Sequence, residues 1–492
     1  MRGSALTLLL ITALGVPGRF LFAQCSDGSP PPCRGVRAPA PVTNTVAVLP
    51  FENRAHDTSL TTLAEGVADE ITTNLARVAR LRVTSPASVR YALSTGARDP
   101  RRLGAAMGSR WLVDGQLVSA GGAVRVNAQL IEAANGRLRW SGSLQRTGND
   151  LLGLIRFIAD SVATGIVGEL APGERAQLAP RPTSSAVAYE SYLRGRALLS
   201  QGGENYLTAS AMFDAATALD SGFADAWAAS ATAFISIADN VLAPRAAYPR
   251  ARAAAMRALR IDPANGEATA ALAKITLWYD WDVPGALLLA RRSVALNPAS
   301  AETHMILGLS LLLRGDTAEA GGELRRAIDI DSLSGRTVSS ATFALMMIGE
   351  NDAAVTRTRR FLAAGAHSPY DIAVIARVFD FTGHCAEVDS LLGPGQWRIP
   401  GIMRCHPWQL LEIDSAVSQV RATAPYLRAW GFARMYARDG GGDRALELLD
   451  QAFRDREAWM PFIQYDPAFQ SLRSDPRFEG LVRRVAASVG GT

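Results

Sequence analysis

The chain of 492 residues contains a single lysine, Lys274, so nearly all of its 51 basic residues are arginines. Basic residues outnumber acidic ones by five, and the formal net charge is +5. A concentrated basic patch would indicate nucleic acid or an anionic membrane as the partner. These arginines are instead spread along the chain among acidic residues, a pattern typical of solvated helix faces. We therefore expect no nucleic-acid partner.

The sequence also lacks the motifs of the common enzyme classes. It has no Walker-type phosphate loop, no Gly-Xaa-Ser-Xaa-Gly nucleophile elbow and no His-Glu-Xaa-Xaa-His helix. These absences favour a protein that is not an enzyme and that binds no cofactor. An enzyme whose site has no such motif is the alternative, and a buried pocket lined by several carboxylates with perturbed pKa values would favour it.

Histidine and cysteine, the usual ligands of zinc, are scarce, with five and four residues. The adjacent pairs at 384–385 and 405–406 together offer two of each. Directly adjacent ligands do not suit a tetrahedral zinc site, which normally has about two to four residues between them. We therefore expect no metal, and an even number of cysteines in an oxidising compartment favours disulfides. The local pairings are Cys25 with Cys33 and Cys385 with Cys405.

Long apolar runs are scarce, and one of them lies at the N-terminus, over residues 5–16 after Arg2. This run is too short to cross a bilayer but has the dimensions of a signal-peptide core. We expect residues 1–23 to be a signal peptide and the protein to be periplasmic or secreted. The alternative is an envelope lipoprotein anchored through Cys25, although Gln24 is larger than the residue that normally precedes a lipidated cysteine. Only that anchor would bring a membrane contact.

Composition changes twice along the rest of the chain. Residues 24–45 are rich in proline, glycine, serine and alanine, which predicts a disordered tether. Residues 172–186 contain three prolines and are expected to be a second linker. Between these segments, residues 46–171 begin with a continuous apolar run at 46–51, which is typical of a strand buried on both faces.

Periodicity within residues 46–171 predicts one mixed sheet packed against helices. Apolar residues recur at helical spacing over 63–78, with Asp69 and Glu70 on the opposite side of that helix. Asp99-Pro100 predicts the start of another helix. Alternation at 124–130 and the Asn135-Gly136 turn predict a meander of three strands. The expected order is β-α-β-α-β-β-β-α.

Four motifs occur in this region in a fixed order: VAVLPF with Asn53, LAEGVADEITTNLARVARLRVTS (63–85), LGAAMGSRWLVDGQL (103–117) and VRVNAQLIEAANGRLRW (124–140). Together they resemble the TolB-like N-terminal domain family of bacterial proteins, over about 125 residues. The resemblance implies a small α/β domain that is often followed by tetratricopeptide repeats. Some members carry a kinase, cyclase or DNA-binding domain in front, whereas here only the expected signal peptide and tether precede residue 46. No catalytic residue is established for the family, so none is carried over.

Residues 187–492 show a repeat of helical units. Four helix-like stretches end in an acidic or amide residue followed by proline or serine, at spacings of 42, 35 and 34 residues. Such a pair stops one helix and separates it from the next unit. The pairs are Asp220-Ser221, Asp262-Pro263, Asn297-Pro298 and Asp331-Ser332.

Small residues recur at fixed positions within these units. Twelve residues before each closing residue stands an alanine: Ala209, Ala251, Ala286 and Ala320. Small residues at such positions let two helices approach closely, and with this period they resemble tetratricopeptide (TPR) repeats. The resemblance implies a right-handed α-solenoid with a C-terminal cap at residues 465–485. Ala320 is expected to lie where its helix crosses the one that carries Leu307 and Gly308.

Four residues are the possible contacts for a bound partner in the groove of the solenoid: Trp278, Tyr279, Trp281 and His304. The three aromatic residues stand beside two aspartates, a combination that can grip a peptide or a glycan. The alternative is that these rings pack between successive repeats, as buried aromatic residues commonly do.

The sequence therefore predicts an exported protein that is not an enzyme, with a small mixed-sheet α/β domain followed by an all-α TPR solenoid. Its expected role is a scaffold that binds a protein partner on the concave surface of the repeats. The alternative is a regulatory or sensory subunit whose TolB-like domain binds a small ligand or signals to a separate cyclase or kinase. The identity of the partner and the oligomeric state stay open.

Overall fold

The computed structural model describes residues 44–489 with short gaps. Within this range the residues that are not described are 55–58, 95, 97, 121–122, 148–150, 179–182, 202–204, 333, 364–368, 393–404, 406–409 and 424–425. The expected signal peptide (1–23), the expected tether up to residue 43 and the pairing of Cys25 with Cys33 lie outside the described residues.

A mixed sheet opens the described part of the chain. Its strands are β1 (Thr45–Val48), β2 (Glu52–Asn53), β3 (Arg82–Val83), β4 (Trp111–Ala120), β5 (Ala123–Glu132) and β6 (Arg137–Thr147). Their order is β3-β1-β4-β5-β6, and β2 pairs with β4. Strand β1 is parallel to β3 and β4, whereas β4, β5 and β6 form an antiparallel meander. The mixed sheet and its meander agree with the prediction.

Helices cover one face of this sheet and part of the other. They are α1 (Ser59–Ala76), α2 (Pro86–Ser94), α3 (Pro100–Met107) and α4 (Leu151–Val167). Helices α1 and α4 pack on the face where Val46, Val113 and Leu130 are fully buried. Helices α2 and α3 pack on the opposite face, around Ala47 and Leu112. The rest of that second face carries polar side chains.

The remainder of the described chain is helical. The helices are α5 (Pro172–Gln177), α6 (Ala186–Gln201), α7 (Asn205–Leu219), α8 (Ala224–Asn240), α9 (Pro244–Ile261), α10 (Gly266–Ile275), α11 (Val283–Leu296), α12 (Ala301–Arg314), α13 (Thr317–Ile330), α14 (Gly335–Met347), α15 (Asn351–Ala363), α16 (Pro369–Thr382), α17 (Cys385–Leu392), α18 (Leu410–Thr423), α19 (Ala429–Arg438), α20 (Gly442–Asp455) and α21 (Pro476–Val489). A π-helix spans Thr276–Asp280, and 3₁₀ turns span Met460–Phe462 and Pro467–Leu472.

Successive helices pack as TPR-like hairpins: α6 with α7, α8 with α9, α10 with α11, α12 with α13, α14 with α15 and α16 with α17. The predicted closing residues Asp262, Asn297 and Asp331 are the C-caps of α9, α11 and α13. In the hairpin of α12 and α13, Ala320 is fully buried. A Cβ atom on Gly308 would lie 2.8 Å from Leu324 and 3.2 Å from the carbonyl oxygen of Ala320. The predicted close crossing of these two helices is therefore present.

The sheet and the first hairpins share one hydrophobic core, which extends from Val46 in β1 to Ala233 in α8. Helix α1 packs directly on α6. The expected linker at 172–186 contains helix α5, and Glu174 of this helix pairs with Arg80 at 2.7 Å. Contact between the α/β part and the array is thus extensive within the described residues.

Candidate partner-binding site

The first helices of the last four hairpins, α10, α12, α14 and α16, contact one another along one side of the array, which we call the first-helix face. The predicted groove residues lie near it. Trp278 and Tyr279 belong to the π-helix that follows α10, and Trp281 ends this π-helix with a left-handed backbone, φ 62°. The indole Nε1–H of Trp281 donates to the carbonyl of Trp278 at 3.0 Å. Only 1% of Trp281 is exposed, whereas Trp278 and Tyr279 are half-buried.

Trp281 contacts the far end of helix α20. Its ring lies 5.5 Å from that of Phe453, and the Arg456 guanidinium lies 4.7 Å over the indole. Arg456 also donates from Nη1 to the carbonyls of Tyr279, at 2.9 Å, and Asp280, at 3.0 Å. This part of the array is therefore covered by the C-terminal unit, by which we mean residues 429–489.

The other predicted contacts pack within the array. Tyr279 stacks on Tyr248 of α9, with 5.0 Å between ring centres. Trp278 lies 5.4 Å from the ammonium of Lys274, which pairs with Glu302. These positions correspond to packing between successive repeats, the alternative that the sequence left open.

His304 lies inside the α12–α13 hairpin and is 3% exposed. Its Nδ1 contacts the carboxylate of Glu323, and its Nε2 lies 3.0 Å from the carbonyl oxygen of Pro298. Arg326 approaches the same Nε2 at 3.4 Å. These polar partners satisfy both ring nitrogens, so His304 joins two helices of one repeat.

Aromatic rings on the first-helix face hold the C-terminal unit. Phe343 of α14 meets Trp459 edge-on, with ring centres 5.6 Å apart, and lies 6.0 Å from Phe381 of α16. The Arg434 guanidinium lies over both rings, at 5.0 and 5.1 Å. Phe462 is fully buried in the core of these repeats. The face thus seats a short irregular segment together with an arginine side chain.

Two buried ion pairs accompany these rings. Arg434 pairs with Asp466 at 2.8 Å, and Arg438 pairs with Asp380 of α16 at 3.0 Å. Both aspartates are fully buried, so breaking either pair would leave a charge without its partner in a dry environment. The same burial lowers the pKa of Arg438.

The predicted pairing of Cys385 and Cys405 lies beside this cluster. The structure joins the two residues by a disulfide, with sulfur atoms 2.18 Å apart. The backbone N–H of Cys405 donates to Asp380 at 2.8 Å. The link and this hydrogen bond therefore place Cys405 next to the buried carboxylate of α16.

Helix α1 of the α/β part packs on α6, the first helix of the array, and polar and charged side chains join the two. The Tyr192 hydroxyl of α6 donates to Glu70 at 2.8 Å, while Arg196 of α6 donates to Thr73 at 3.0 Å and pairs with Glu267 of α10 at 2.8 Å. Burial raises the pKa of Glu70 to about 7 and that of Asp69 to about 6. Both carboxylates, which were predicted to lie opposite the apolar stripe of α1, are buried because α6 packs against that side.

The polar part of the sheet forms a shallow cavity of 490 Å³. Asp114 on β4 accepts from the side-chain amide of Gln129 on β5 at 2.9 Å, and Ser143 on β6 donates to Asn127 on β5 at 2.7 Å. The remaining lining includes Glu52, Arg54, Gln116 and Ser141. This surface offers hydrogen-bond donors and acceptors without an aromatic ring.

Neither a metal site nor a membrane span emerges from the described residues. No group of three or more His, Cys, Asp or Glu side chains among them is arranged to hold a metal ion. No helix in the same part of the chain combines the length and the apolarity needed to cross a bilayer.

Comparison with curated proteins gives a partial match. Putative adenylate cyclase 3 of Rhizobium meliloti (strain 1021) is 26% identical over 161 residues. This match covers 33% of the chain and 27% of the cyclase, so the chain spans little more than a quarter of that protein. No protein-family model matches the chain.

Solved structures also match parts of the chain. PilF of Pseudomonas aeruginosa is 18% identical with a TM-score of 0.32, covering 42% of this chain and 93% of PilF. A human IFIT1 dimer with m7Gppp-AAAA is 16% identical with a TM-score of 0.31, covering 63% of this chain and 81% of that one. These TM-scores are too low for either likeness to bear on function. None of the three matches identifies residues 46–171 as a TolB-like domain, which stays a prediction.

Proposed function

We propose that the chain is an exported scaffold of the cell envelope, without enzymatic activity, that binds a protein partner on the first-helix face of its repeats. The observation that carries this proposal is the seat of the C-terminal unit on α14 and α16. There the face holds Trp459 against Phe343, the Arg434 guanidinium over Phe343 and Phe381, and Arg438 against the buried carboxylate of Asp380. TPR-like arrays bind peptide segments by contacts of this kind.

The partner segment competes with the C-terminal unit for this face. A segment that carries an aromatic residue and an arginine would meet the same side chains, Phe343, Phe381 and Asp380. Its apparent affinity is reduced by the fraction of molecules in which the C-terminal unit still occupies the face. A variant in which the C-terminal unit is held less tightly on the first-helix face should therefore bind the partner more tightly than the wild type does.

Two tryptophan variants test this. Trp459→Ala removes the contact with Phe343, whereas Trp227→Ala removes a half-buried tryptophan of α8 whose Nε1–H donates to Ser221 at 3.1 Å. Both variants and the wild type would be immobilised as full chains and exposed to envelope extract, after circular dichroism has shown that they are folded. We expect Trp459→Ala to retain a protein that the other two retain poorly. Equal retention by the two variants would contradict the proposal.

The second candidate function is that of a sensory subunit, and the polar cavity on the sheet favours it. The 490 Å³ depression around Asp114 and Gln129 has the size of a small-molecule site. The partial match to a putative adenylate cyclase also fits a regulatory role. A thermal-shift screen of polar metabolites against the wild type and Asp114→Ala would test this. A ligand that raises the melting temperature of the wild type alone would support the sensory role. A ligand that stabilises the wild type and Asp114→Ala equally binds outside this cavity and would argue against that role.

A further inference from the structure

Strand β6 lies at one edge of the sheet that the described strands form. Among the described strands only β5 pairs with β6, along Arg137–Thr147. Exposed residues along it include Arg137, Arg139, Ser141 and Ser143. An edge strand presents backbone N–H and C=O groups that are not paired within its own sheet, and a strand of another chain can pair with them.

An aromatic shelf borders one side of this edge. The ring of Trp140 lies 6.1 Å from that of Phe157 on α4, and 44% of Phe157 is exposed. The indole extends over Gly142, since a Cβ atom on this glycine would lie 2.6 Å from the ring. Side chains on one face of an added strand would therefore lie against apolar rings.

The opposite side of the edge is polar. Ser141 and Ser143 point to the face that also carries Asn127, Gln129 and Asp114, and they line the shallow cavity with them. A β-bulge leaves Arg139 without a partner residue on β5, and from Trp140 to Leu144 the side chains alternate between the two faces of the sheet. An added strand therefore needs alternating apolar and polar residues to match this part of β6.

The positive charge of β6 favours an acidic strand as its partner. Arg137 and Arg139 are exposed on β6, and Arg139 donates one hydrogen bond, at 3.4 Å, to the carbonyl of Gly165. Acidic side chains on an incoming strand would complement these two arginines. Two copies of β6 would each carry Arg137 and Arg139, and this like charge disfavours pairing between two copies of the chain.

We propose that the β6 edge binds an extended acidic segment of a partner protein as an added strand. The segment alternates apolar residues, which meet Trp140 and Phe157, with polar ones, which meet Ser141 and Ser143. This inference concerns the sheet and is independent of the partner proposed for the first-helix face.

Labelled peptides of about ten residues, the length of a long strand, test the proposal on the full mature chain by fluorescence anisotropy. The probe alternates glutamate and valine. One control alternates lysine and valine, and a second is the acidic probe with prolines at two central positions, which remove backbone donors. We expect binding of the acidic probe, with at least about tenfold weaker binding of either control.

Hydrogen exchange locates the bound peptide. The acidic probe should slow amide exchange in β6 but not in β3 at the other end of the sheet. Phe157→Ala should weaken binding about tenfold and Arg139→Glu about fivefold. Matched controls are Leu207→Ala on α7, where 49% of the leucine is exposed, and Arg483→Glu on α21, which should leave the affinity unchanged.

Four outcomes would overturn the proposal. They are equal binding of the proline-containing peptide, equal binding of the basic peptide, absence of acidic-probe binding at about 1 mM, and protection outside β6. Sedimentation velocity tests whether a second copy of the chain occupies the edge instead. A dimer in which the amides of β6 are protected from exchange, and which the acidic probe does not dissociate, would overturn the proposal in this way.

Discussion

The guanidinium of Arg456 stacks on the ring of Trp281, 4.7 Å from its centre, although the two residues are 175 positions apart (456 − 281). Both have a left-handed backbone, with φ of 56° and 62°, and among the described residues they are the only non-glycine residues that do. This conformation costs about 1–2 kcal/mol for a residue with a Cβ atom, and it persists where surrounding contacts fix it. The contact between these residues therefore helps to hold the C-terminal unit on the array.

Two substitutions at Arg456 separate its side-chain contacts from its backbone conformation. Arg456→Ala and Arg456→Gly both lose the stacking and the two hydrogen bonds to backbone carbonyls, but glycine adopts φ 56° without a Cβ penalty. We expect the alanine variant to lose about 2–3 kcal/mol of unfolding free energy, and the glycine variant about 1 kcal/mol less. Urea denaturation measures both values. A glycine variant as unstable as the alanine variant would contradict the role given to the backbone.

The hairpin of α12 and α13 offers a matched pair of alanines. Ala320 is fully buried at the crossing with Gly308, whereas Ala318 is exposed on the same helix. Ala320→Leu should cost about 1–3 kcal/mol by overpacking, and Ala318→Leu should stay within about 0.5 kcal/mol of the wild type. Equal urea midpoints would show that the proposed helix crossing is incorrect.

Glu70 should make stability depend on pH. Burial between α1 and α6 raises its pKa from 4.5 to about 7. Because the folded value exceeds the unfolded one, the stability gained by protonation is complete below about pH 4.5 and is lost as the pH rises through about 7. The wild type should therefore lose stability over this range, with a slope of up to about 1.4 kcal/mol per pH unit from this residue.

Glu70→Gln should remove that part of the slope in urea titrations between about pH 5 and 8. Asp69, whose pKa is raised to about 6, contributes its own slope to both proteins and so cancels in the comparison. Glu52→Gln is the control, since 63% of the Glu52 side chain is exposed. A slope that Glu70→Gln leaves unchanged would rule out this carboxylate as its source.

The disulfide between Cys385 and Cys405 closes a loop with a sequence separation of 20 residues. Such a link stabilises a protein by about 3 kcal/mol through the entropy of the unfolded chain. Reduction should lower the unfolding free energy of the wild type by about this amount and leave a double serine variant at the two positions unchanged. Equal sensitivity of both proteins to the reductant would mean that another effect of reduction is responsible.

Export is tested at the N-terminus. Replacement of Leu8, Leu9 and Leu10 by aspartate should leave the precursor in the cytoplasm, since the apolar core drives targeting. Fractionation and immunoblotting provide the measurement, with Cys25→Ser as a comparison that leaves the apolar core of the expected signal peptide unchanged. Unchanged export of the triple variant would argue against the signal peptide.

Local patterns explain how much of the fold could be predicted. Asp99 caps α3 by accepting from two backbone N–H groups, and Asn297 and Asp331 end their helices where the repeat places them. Each of these signals lies within a few residues of its structural effect. Helix α2 was missed because its nine residues, PASVRYALS, include a proline, serines and a valine that are weak helix formers.

Long-range packing explains what could not be predicted. A residue opposite an apolar stripe, such as Glu70, is exposed to solvent only when no other element covers that side of the helix. Here α6 covers it, and the local pattern does not show this. The seat of Arg434 between Phe343 and Phe381 joins distant helices, and no local period encodes it. Asp380 was an available hint, since this carboxylate stands between Phe379 and Phe381 in the apolar second half of α16.

The contact between Trp281 and Arg456 also has a consequence for the order in which the protein folds. In a simple repeat array each unit contacts only its neighbours, so the chain can fold stepwise from any point. Here the π-helix after α10 completes its packing only after residues 453–456 have been synthesised, and loop closure over such a distance slows folding. The apolar side chains of this π-helix therefore stay partly exposed during folding until residues 453–456 pack against them.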